Sequence, residues 1–207
     1  MTVEREGGRD TTQSARVFLA IGISSAVAGE VARAQQVLGR VGPPGLFRFG
    51  DPDQSHVTLR FLGQRSSEEQ VRIAGAAAST ASRSAPFDIV FGGLGVFPDE
   101  ERPHTLWLGL KRGRSEVVAL AARLTEALQG AGFPPESRSF APHLTLARIR
   151  RRPLPGSMTR VLGSEVDGTA VLRVERFFLM ESRAAAGGVR YLPLRTFRLE
   201  NACTPSE

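Results

Sequence analysis

The chain has 207 residues, of which 41% are hydrophobic, enough for one domain or two small fused lobes with a real core. It contains no apolar run of about 18 residues or more, which argues against a transmembrane helix. The formal net charge of +6 and the sequence pI near 11.0 favour a polyanionic partner over an acidic protein or a neutral metabolite.

Both ends of the chain are predicted to lie outside the folded domain. Residues 1–14 carry charges of both signs and lack the apolar region of a secretory signal, so we expect a disordered leader and a cytoplasmic protein. Residues 201–207 should form a flexible tail, and its Cys203, the single cysteine, cannot form a disulfide within the chain. One domain is therefore expected over residues 15–200.

The first half of this domain is predicted to alternate strands and helices. In chain order the predicted elements are a strand at Arg16–Ile23, a helix from Ser24 or Ser25 to about Val41, a strand at His56–Leu62, an Ala-rich helix to about Ser82 and a short strand at Phe87–Phe91. Ser66, with Glu69 three residues later, forms a capping box for the second helix. The glycine cluster at residues 92–95 predicts the start of a Gly/Pro loop that continues to Pro103.

The second half repeats this order. Its predicted elements are a strand at Thr105–Leu110, a helix at Ser115–Gly130, a strand at His143–Ile149, and terminal strands within Thr169–Met180 and Val189–Leu199. In each half a strand, a helix and a Pro/Gly loop precede a strand that opens with His-x-Thr-Leu. We infer that a small α+β unit is used twice, in two lobes that face each other across a cleft about a pseudo-twofold axis.

Each His-x-Thr-Leu strand presents the same two polar side chains to one face. Because successive side chains of a strand alternate between faces, His56 and Thr58 share one face while Val57 and Leu59 point to the core. The segment His143–Leu146 repeats this arrangement. We expect an imidazole and a hydroxyl from each strand to line the cleft.

Two imidazoles suit the cleavage of a phosphodiester near neutral pH, because histidine titrates close to that range. A neutral imidazole can take a proton from the attacking water, and a protonated one can give a proton to the departing oxygen. The hydroxyls of Thr58 and Thr145 can donate hydrogen bonds to the non-bridging oxygens as charge develops there. A lone His-x-Thr on a strand is usually structural, but the two copies hold two of the three histidines of the chain, which favours one shared catalytic site.

The segments HVTLRFLG (56–63) and FAPHLTLARIR (140–150) resemble the paired motifs of the two-histidine phosphoesterase superfamily, above all its RNA 2′,3′-cyclic phosphodiesterase (2′-5′ RNA ligase) branch. RVFLAI, TLWLGL and the FFLMESR…GGVRYLPL ending are also similar, so the resemblance covers roughly residues 16–198. It implies a bilobal α+β fold of duplicated strand-helix-strand lobes, with antiparallel sheets lining a central cleft. It also implies opening of a 2′,3′-cyclic phosphate on RNA ends or small cyclic nucleotides to a 2′-phosphate, without metal or cofactor, and in some members reversible 2′-5′ ligation.

The resemblance assigns roles to five residues. His56 and His143 become the acid/base pair, and Thr58 and Thr145 hold the phosphate. We expect His143 to activate water and His56 to protonate the leaving 3′-oxygen, although the near-symmetry of the motifs leaves the reverse assignment open. Arg148 matches the arginine that closes the second motif and would clamp the phosphate. Ideal alternation places Arg148 on the face opposite His143, so either the strand bulges there or Arg148 is a solvated charge.

Three further residues are weaker candidates. Arg60 lies on the His56 face by strand parity, but the family does not require an arginine there. Phe49 stands where we expect a tryptophan in relatives, and it either stacks on a base or packs in the core. His104 precedes the TLWLGL strand; it is either a third catalytic histidine or, as we expect, a loop residue in contact with solvent or substrate.

Two other classes of function compete with this hypothesis. A metal hydrolase is disfavoured because the chain has neither His-x-His, His-Glu-x-x-His nor a cysteine cluster. A non-catalytic RNA- or nucleotide-binding module is supported by the basic charge alone. Nucleotide kinases and dinucleotide enzymes are disfavoured, since the glycine motifs that cradle their phosphates are absent. Nothing in the sequence marks an oligomer, and a monomer is the default expectation.

Overall fold

The structure is a computed structural model that describes residues 14–137, 139–154, 156–185 and 188–200. The leader predicted for residues 1–14, apart from Ser14, and the tail predicted for 201–207 lie outside the described residues. The strands are β1 (Ala15–Gly22), β2 (Phe47–Phe49), β3 (His56–Arg65), β4 (Phe87–Phe97), β5 (Thr105–Arg112), β6 (Leu144–Ile149), β7 (Leu172–Val174), β8 (Arg176–Ala185) and β9 (Gly188–Arg198). The helices are α1 (Ser25–Val41), α2 (Ser67–Ala81), α3 (Arg114–Gly130) and α4 (Ser157–Leu162).

The predicted starts of the first two helices are confirmed by their caps. At α1 the Ser24 hydroxyl accepts a hydrogen bond from the Val27 N–H at 3.4 Å. At α2 the capping box is complete: the Glu69 N–H donates to the Ser66 hydroxyl at 3.2 Å, and the Ser66 N–H donates to the Glu69 carboxylate at 2.8 Å. Local side-chain chemistry therefore determines where both helices begin.

The predicted end of the strand at Phe91 is wrong, because β4 continues through the glycine cluster to Phe97. Two register shifts against β5 fall between Val90 and Leu94, and Gly93 adopts a φ of +74°. Glycine tolerates this conformation, so the cluster makes an irregular strand rather than a loop. The short elements β2 and α4 were not predicted. The three residues of β2 show a single alternation of apolar side chains and the six of α4 fewer than two helical turns, so neither shows a repeating pattern.

The strands form one antiparallel nine-stranded sheet in the order β7-β4-β5-β6-β3-β1-β8-β9, with β2 added beside β6. The order is symmetric about the junction of β6 and β3, so that one lobe holds β4–β7 and the other holds β1, β3, β8 and β9. The two lobes meet where Val57 of β3 pairs with Leu144 of β6. This is the bilobal α+β fold that the repeat and the resemblance predicted.

The helices are exchanged between the two halves of the sequence. Helix α1, which follows β1, lies behind β6 of the other lobe, where the Gln35 side-chain amide donates to the carbonyls of Leu146 at 3.2 Å and Gly50 at 2.9 Å. Helix α3 follows β5 but packs against β3, and Phe133 just beyond it lies under the guanidinium of Arg65 at 5.4 Å. Each lobe therefore depends on a helix from the other half of the chain.

Candidate active site

Four predicted side chains meet at the junction of the two lobes. Val57 and Leu144, the residues that pair there, are fully buried at 0% exposure, so their neighbours along each strand lie on the opposite face. The antiparallel register then sets His56 alongside Thr145 and His143 alongside Thr58, all half-buried. We call the surface of the sheet that carries these four side chains the cleft face.

Both imidazoles are held by main-chain carbonyls in the same way. Nδ1 of His56 lies 2.9 Å from the carbonyl oxygen of Gln54, and Nδ1 of His143 lies 2.7 Å from that of Ala141. A carbonyl oxygen can only accept, so each Nδ1 carries the proton and donates it. In the neutral form Nε2 is then the free basic atom of each ring, and in the cation it is a donor.

Aromatic rings flank each imidazole. The His56 ring lies 5.0 Å from Phe18 of β1 and 4.6 Å from Tyr191 of β9, measured between ring centroids. The His143 ring lies 4.9 Å from Phe97 of β4, and Trp107 of β5 lies 6.2 Å away. These contacts restrict rotation of the rings and remove water from one side of each. A cavity of about 460 Å³ opens beside His56, a volume suited to a small substrate.

The surroundings keep both histidines neutral to lower pH than usual. Burial is the largest influence and lowers the pKa of His56 and of His143 below the ordinary 6.5, while the bonds to the main-chain carbonyls act in the opposite sense. The positive charge of Arg148 lowers the pKa of His143 further, and charge on His143 lowers that of His56. The two imidazoles are thus electrostatically coupled to each other and to Arg148.

A β-bulge brings Arg148 to the cleft face. In the pairing of β6 with β5, Thr145 lies opposite Trp107 and Ala147 opposite Leu106, so Leu146 is the extra residue. The bulge reverses the alternation, and Arg148 pairs with Thr105, whose hydroxyl accepts a hydrogen bond from Nη1 of Arg148 at 2.6 Å. Of the two alternatives left open for Arg148, the structure therefore has the bulge.

A matching bulge at Leu59 changes the prediction for Arg60. Leu19 of β1 pairs with Arg60 and the next residue, Ala20, with Thr58, so Leu59 is the extra residue of β3. Arg60 is consequently 5% exposed on the core face, where Nη2 donates to the carbonyl of Pro134. The parity prediction that placed Arg60 on the His56 face is wrong, because it assumed an unbroken ladder.

Phe49 lies on the core side of β2, which favours the second of its two alternatives, core packing, over base stacking. Phe49 pairs with the buried Ala147, and its ring lies 3.5 Å from the position that a Cβ on Gly39 of α1 would occupy. It packs against the core beside Phe47, with the ring centroids 5.5 Å apart, so the core-packing alternative holds. The intervening Arg48 pairs with Arg148 and shares its face, which sequence reasoning missed because β2 was not recognised as a strand.

The remaining candidate residue, His104, lies off the cleft face. His104 is exposed and directly precedes Thr105, the first residue of β5, so alternation turns it away from the cleft face. Among the described residues, no group of three or more His, Cys, Asp or Glu side chains is placed to hold a metal ion. No helix within the described ranges is long and apolar enough to cross a membrane.

A two-lobed antiparallel sheet with a His-x-Thr strand on each side of its central junction has the fold of the two-histidine phosphoesterases. The family model of the 2′-5′ RNA ligase superfamily matches residues 24–186, and the chain belongs to this superfamily.

Relatives and solved structures agree with this assignment. The RNA 2′,3′-cyclic phosphodiesterase of Archaeoglobus fulgidus is 30% identical over 183 residues, which cover 88% of this chain and 99% of the relative. A protein of the same name from Aquifex aeolicus is 34% identical over 104 residues, 50% of this chain and 55% of the relative. The crystal structure of TT0787 of Thermus thermophilus has a TM-score of 0.75 at 28% identity and covers 90% of this chain and 98% of its own. Escherichia coli LigT complexed with 3′-AMP has a TM-score of 0.69 at 26% identity, covering 90% and 99%.

Proposed function

We propose that this protein hydrolyses the 2′,3′-cyclic phosphodiester of RNA ends or small nucleotides to a 2′-phosphomonoester. The observation that carries the proposal is the pairing of two imidazoles whose Nε2 atoms are both free of the main chain on the cleft face. The names of the relatives and the family support the choice of substrate. With a 5′-hydroxyl in place of water as the nucleophile, the same groups would form a bond between that oxygen and phosphorus while the 3′-oxygen leaves, which is a 2′-5′ ligation. The cytoplasm and a monomeric state remain expectations from the sequence.

His143 acts as the general base and His56 as the general acid in this proposal. Nε2 of His143 takes a proton from water while the water oxygen forms a bond to phosphorus. The bond between phosphorus and the 3′-oxygen breaks, and Nε2–H of His56 gives its proton to that oxygen. The phosphate stays on the 2′-oxygen, and the two histidines exchange protonation states, which solvent then restores.

The position of Arg148 supports the assignment of His143 as the base and His56 as the acid. Its positive charge disfavours the protonated form of His143, and a base must be neutral to accept a proton. The guanidinium is held by the Thr105 hydroxyl and remains exposed, so it can pair with a non-bridging oxygen of the phosphate. Thr58 and Thr145, each beside the histidine of the other strand, donate to the same oxygens.

Turnover of a panel of 2′,3′-cyclic phosphates, with identification of the product, tests the function. We expect a 2′-phosphate from the wild type in the presence of a chelator. His56→Ala and His143→Ala should each lower kcat by about 10²- to 10⁴-fold, because each removes one proton transfer. His104→Ala is the matched control, since this histidine is exposed and lies off the cleft face.

Near-wild-type rates in either cleft variant would contradict the mechanism, and a 3′-phosphate product would contradict the proposed regiochemistry. If the wild type turns over no cyclic phosphate while both alanine variants bind an RNA ending in one as the wild type does, the protein is a binding module instead.

A substrate with sulfur in place of the 3′-oxygen tests which histidine is the acid. A thiolate leaves without needing protonation, so the rate loss caused by His56→Ala should shrink on this substrate. The loss caused by His143→Ala should stay the same, because water must still be deprotonated. A smaller loss in the His143 variant instead would reverse the assignment.

A further inference from the structure

The two cleft histidines differ in the residue whose carbonyl holds Nδ1. That residue lies two positions before the histidine in both lobes, and it is Gln54 for His56 but Ala141 for His143. The Gln54 side chain forms a hydrogen bond with strand β9, whereas the methyl group of Ala141 can form none. The two sites that the repeat makes alike are therefore held in different ways.

Gln54 links the acid histidine to the last strand of the chain. Its carbonyl oxygen accepts from Nδ1–H of His56 at 2.9 Å, and its side-chain Oε1 accepts from the main-chain N–H of Tyr191 at 2.9 Å. The Tyr191 ring stands edge-on to the imidazole, with the centroids 4.6 Å apart and the planes at 77°. These three contacts form a closed circuit of Gln54, His56 and Tyr191, which we call the Gln54 clasp.

The clasp joins parts of the sheet that are distant in the strand order. Strand β9 lies at the end of that order, separated from β3 by β1 and β8. A contact between Tyr191 and the turn Pro52–Gln54, which precedes β3, therefore requires the sheet to curl. All three clasp residues line the cavity of about 460 Å³ that the curled sheet borders. The clasp thus fixes the edge of the sheet against the turn that carries the acceptor for Nδ1–H.

The turn has hydrogen bonds of its own that do not involve the Gln54 side chain. The Asp53 N–H donates to the Asp51 carboxylate at 3.0 Å, and the Gln54 N–H donates to the Asp51 carbonyl at 3.1 Å. Both bonds remain when only the side chain of Gln54 is changed. Such a change leaves the turn folded and releases it from β9.

We propose that Gln54 is a positioning residue for His56, because its side chain, bound to β9, holds the carbonyl to which Nδ1–H of His56 donates. The inference rests on the proposed function, since the direction of Nε2 matters to catalysis only if His56 transfers a proton. The bond at Nδ1 sets the tautomer of the neutral ring. In the cation the same bond aims Nε2–H at the leaving oxygen.

The tautomer of His56 tests this hold without an assay of activity. Gln54→Met keeps the length of the side chain and removes the acceptor, so the Tyr191 N–H turns to water and the carbonyl is no longer held. We expect neutral His56 in this variant to populate the Nε2–H tautomer, measured by two-bond ¹H–¹⁵N correlation spectra of the imidazoles. His143 in the same spectra should keep its proton on Nδ1, which also shows that the protein is folded.

Two further variants are matched to this one. Gln54→Glu keeps an acceptor for the Tyr191 N–H, so His56 should keep its proton on Nδ1. Gln70 lies in α2, where its side-chain amide donates to the carbonyl of Arg65 at 3.1 Å. Gln70→Met makes the same replacement outside the clasp and should leave both histidines as they are in the wild type.

Turnover by the same variants gives a second readout. Gln54→Met should lower kcat for adenosine 2′,3′-cyclic phosphate by about 10- to 100-fold, because the imidazole is no longer aimed at the reacting atoms. On the substrate with sulfur in place of the 3′-oxygen, the loss should shrink as the loss caused by His56→Ala does, since a thiolate leaves without a proton.

His56 that keeps the wild-type tautomer in Gln54→Met would overturn the inference. So would losses on the two substrates whose ratio differs from that of His56→Ala. If the tautomer changes but the wild type hydrolyses no cyclic phosphate, the hold of Gln54 on His56 is confirmed and the proposed function is contradicted. If the wild type is active and the tautomer does not change, the function stands and only the positioning residue is removed.

Discussion

In each cleft histidine, Nδ1–H donates a hydrogen bond to the carbonyl of the residue two positions earlier in the chain. These bonds, of 2.9 Å at His56 and 2.7 Å at His143, leave Nε2 as the atom that would exchange protons with a substrate in the proposed mechanism. Because the acceptors belong to the main chain, neither changes its charge with pH. The tautomer of both rings is therefore constant across the working range, and only the protonation of Nε2 varies.

The lowered pKa values of the two histidines predict the pH dependence of catalysis. Both groups lose their proton below the ordinary 6.5, so the bell-shaped profile of kcat/KM for the free enzyme should have its maximum on the acid side of pH 6.5. The acid and alkaline limbs of this profile report apparent pKa values of the coupled pair of histidines rather than of single residues. Titration of the imidazole C–H signals by NMR should give the same two values.

Arg148→Gln tests the electrostatic influence of Arg148 on His143. Removing the positive charge beside His143 removes an influence that lowers its pKa, so the His143 titration should move to higher pH. A maximum above pH 7, or a His143 titration that moves to lower pH in this variant, would contradict the description of the site.

Within each motif strand, alternation predicts the face of every side chain correctly as far as the threonine. Directly after the threonine, the predicted faces are wrong. Period-2 alternation places His56, Thr58 and their counterparts on one face, as the structure has them. The bulges at Leu59 and Leu146 then reverse the alternation. A bulge depends on the partner strand, and leucine at the bulged position has no local signature. Alternation alone therefore could not reveal that Phe61, which pairs with Phe18, takes the place on the cleft face that was predicted for Arg60.

A glycine of β4 supports the second histidine through a neighbouring ring. A Cβ at Gly95 would lie 2.1 Å from the Trp107 ring, which itself lies 6.2 Å from His143. Gly95→Ala should therefore lower the free energy of unfolding by about 1–3 kcal/mol through overpacking, and reduce turnover by displacing Trp107. Urea unfolding and kcat measure the two effects.

Gly75→Ala is a control for which we expect the free energy of unfolding to change in the opposite direction. Gly75 lies within α2, and a Cβ there would meet nothing within 4 Å. This substitution should raise the stability by about 0.5–1 kcal/mol, because alanine loses less conformational entropy in a helix. A Gly95→Ala variant as stable and active as the wild type would show that Trp107 is not held against the strand.

For the whole molecule, the doubled pattern predicts two lobes but not how they share their helices. The repeat of strand, helix and His-x-Thr-Leu strand is visible in the sequence, and the symmetric strand order confirms it. The exchange of α1 and α3 depends on contacts such as that between Gln35 and Leu146, which are 111 residues apart. Amphipathic periodicity indicates that a helix has an apolar face but not which sheet covers it.

The pairing of Val57 with Leu144 lies on the pseudo-twofold axis, as a self-complementary contact lies on the axis of a homodimer. With its exchanged helices, the chain has the architecture of two half-length subunits fused end to end. A true homodimer would have to present the same residue at both ends of its cleft, two arginines or two phenylalanines. Fusion allows each copy to vary separately, so this chain has Arg148 five residues after His143 and Phe61 five residues after His56, and the two ends of the cleft differ.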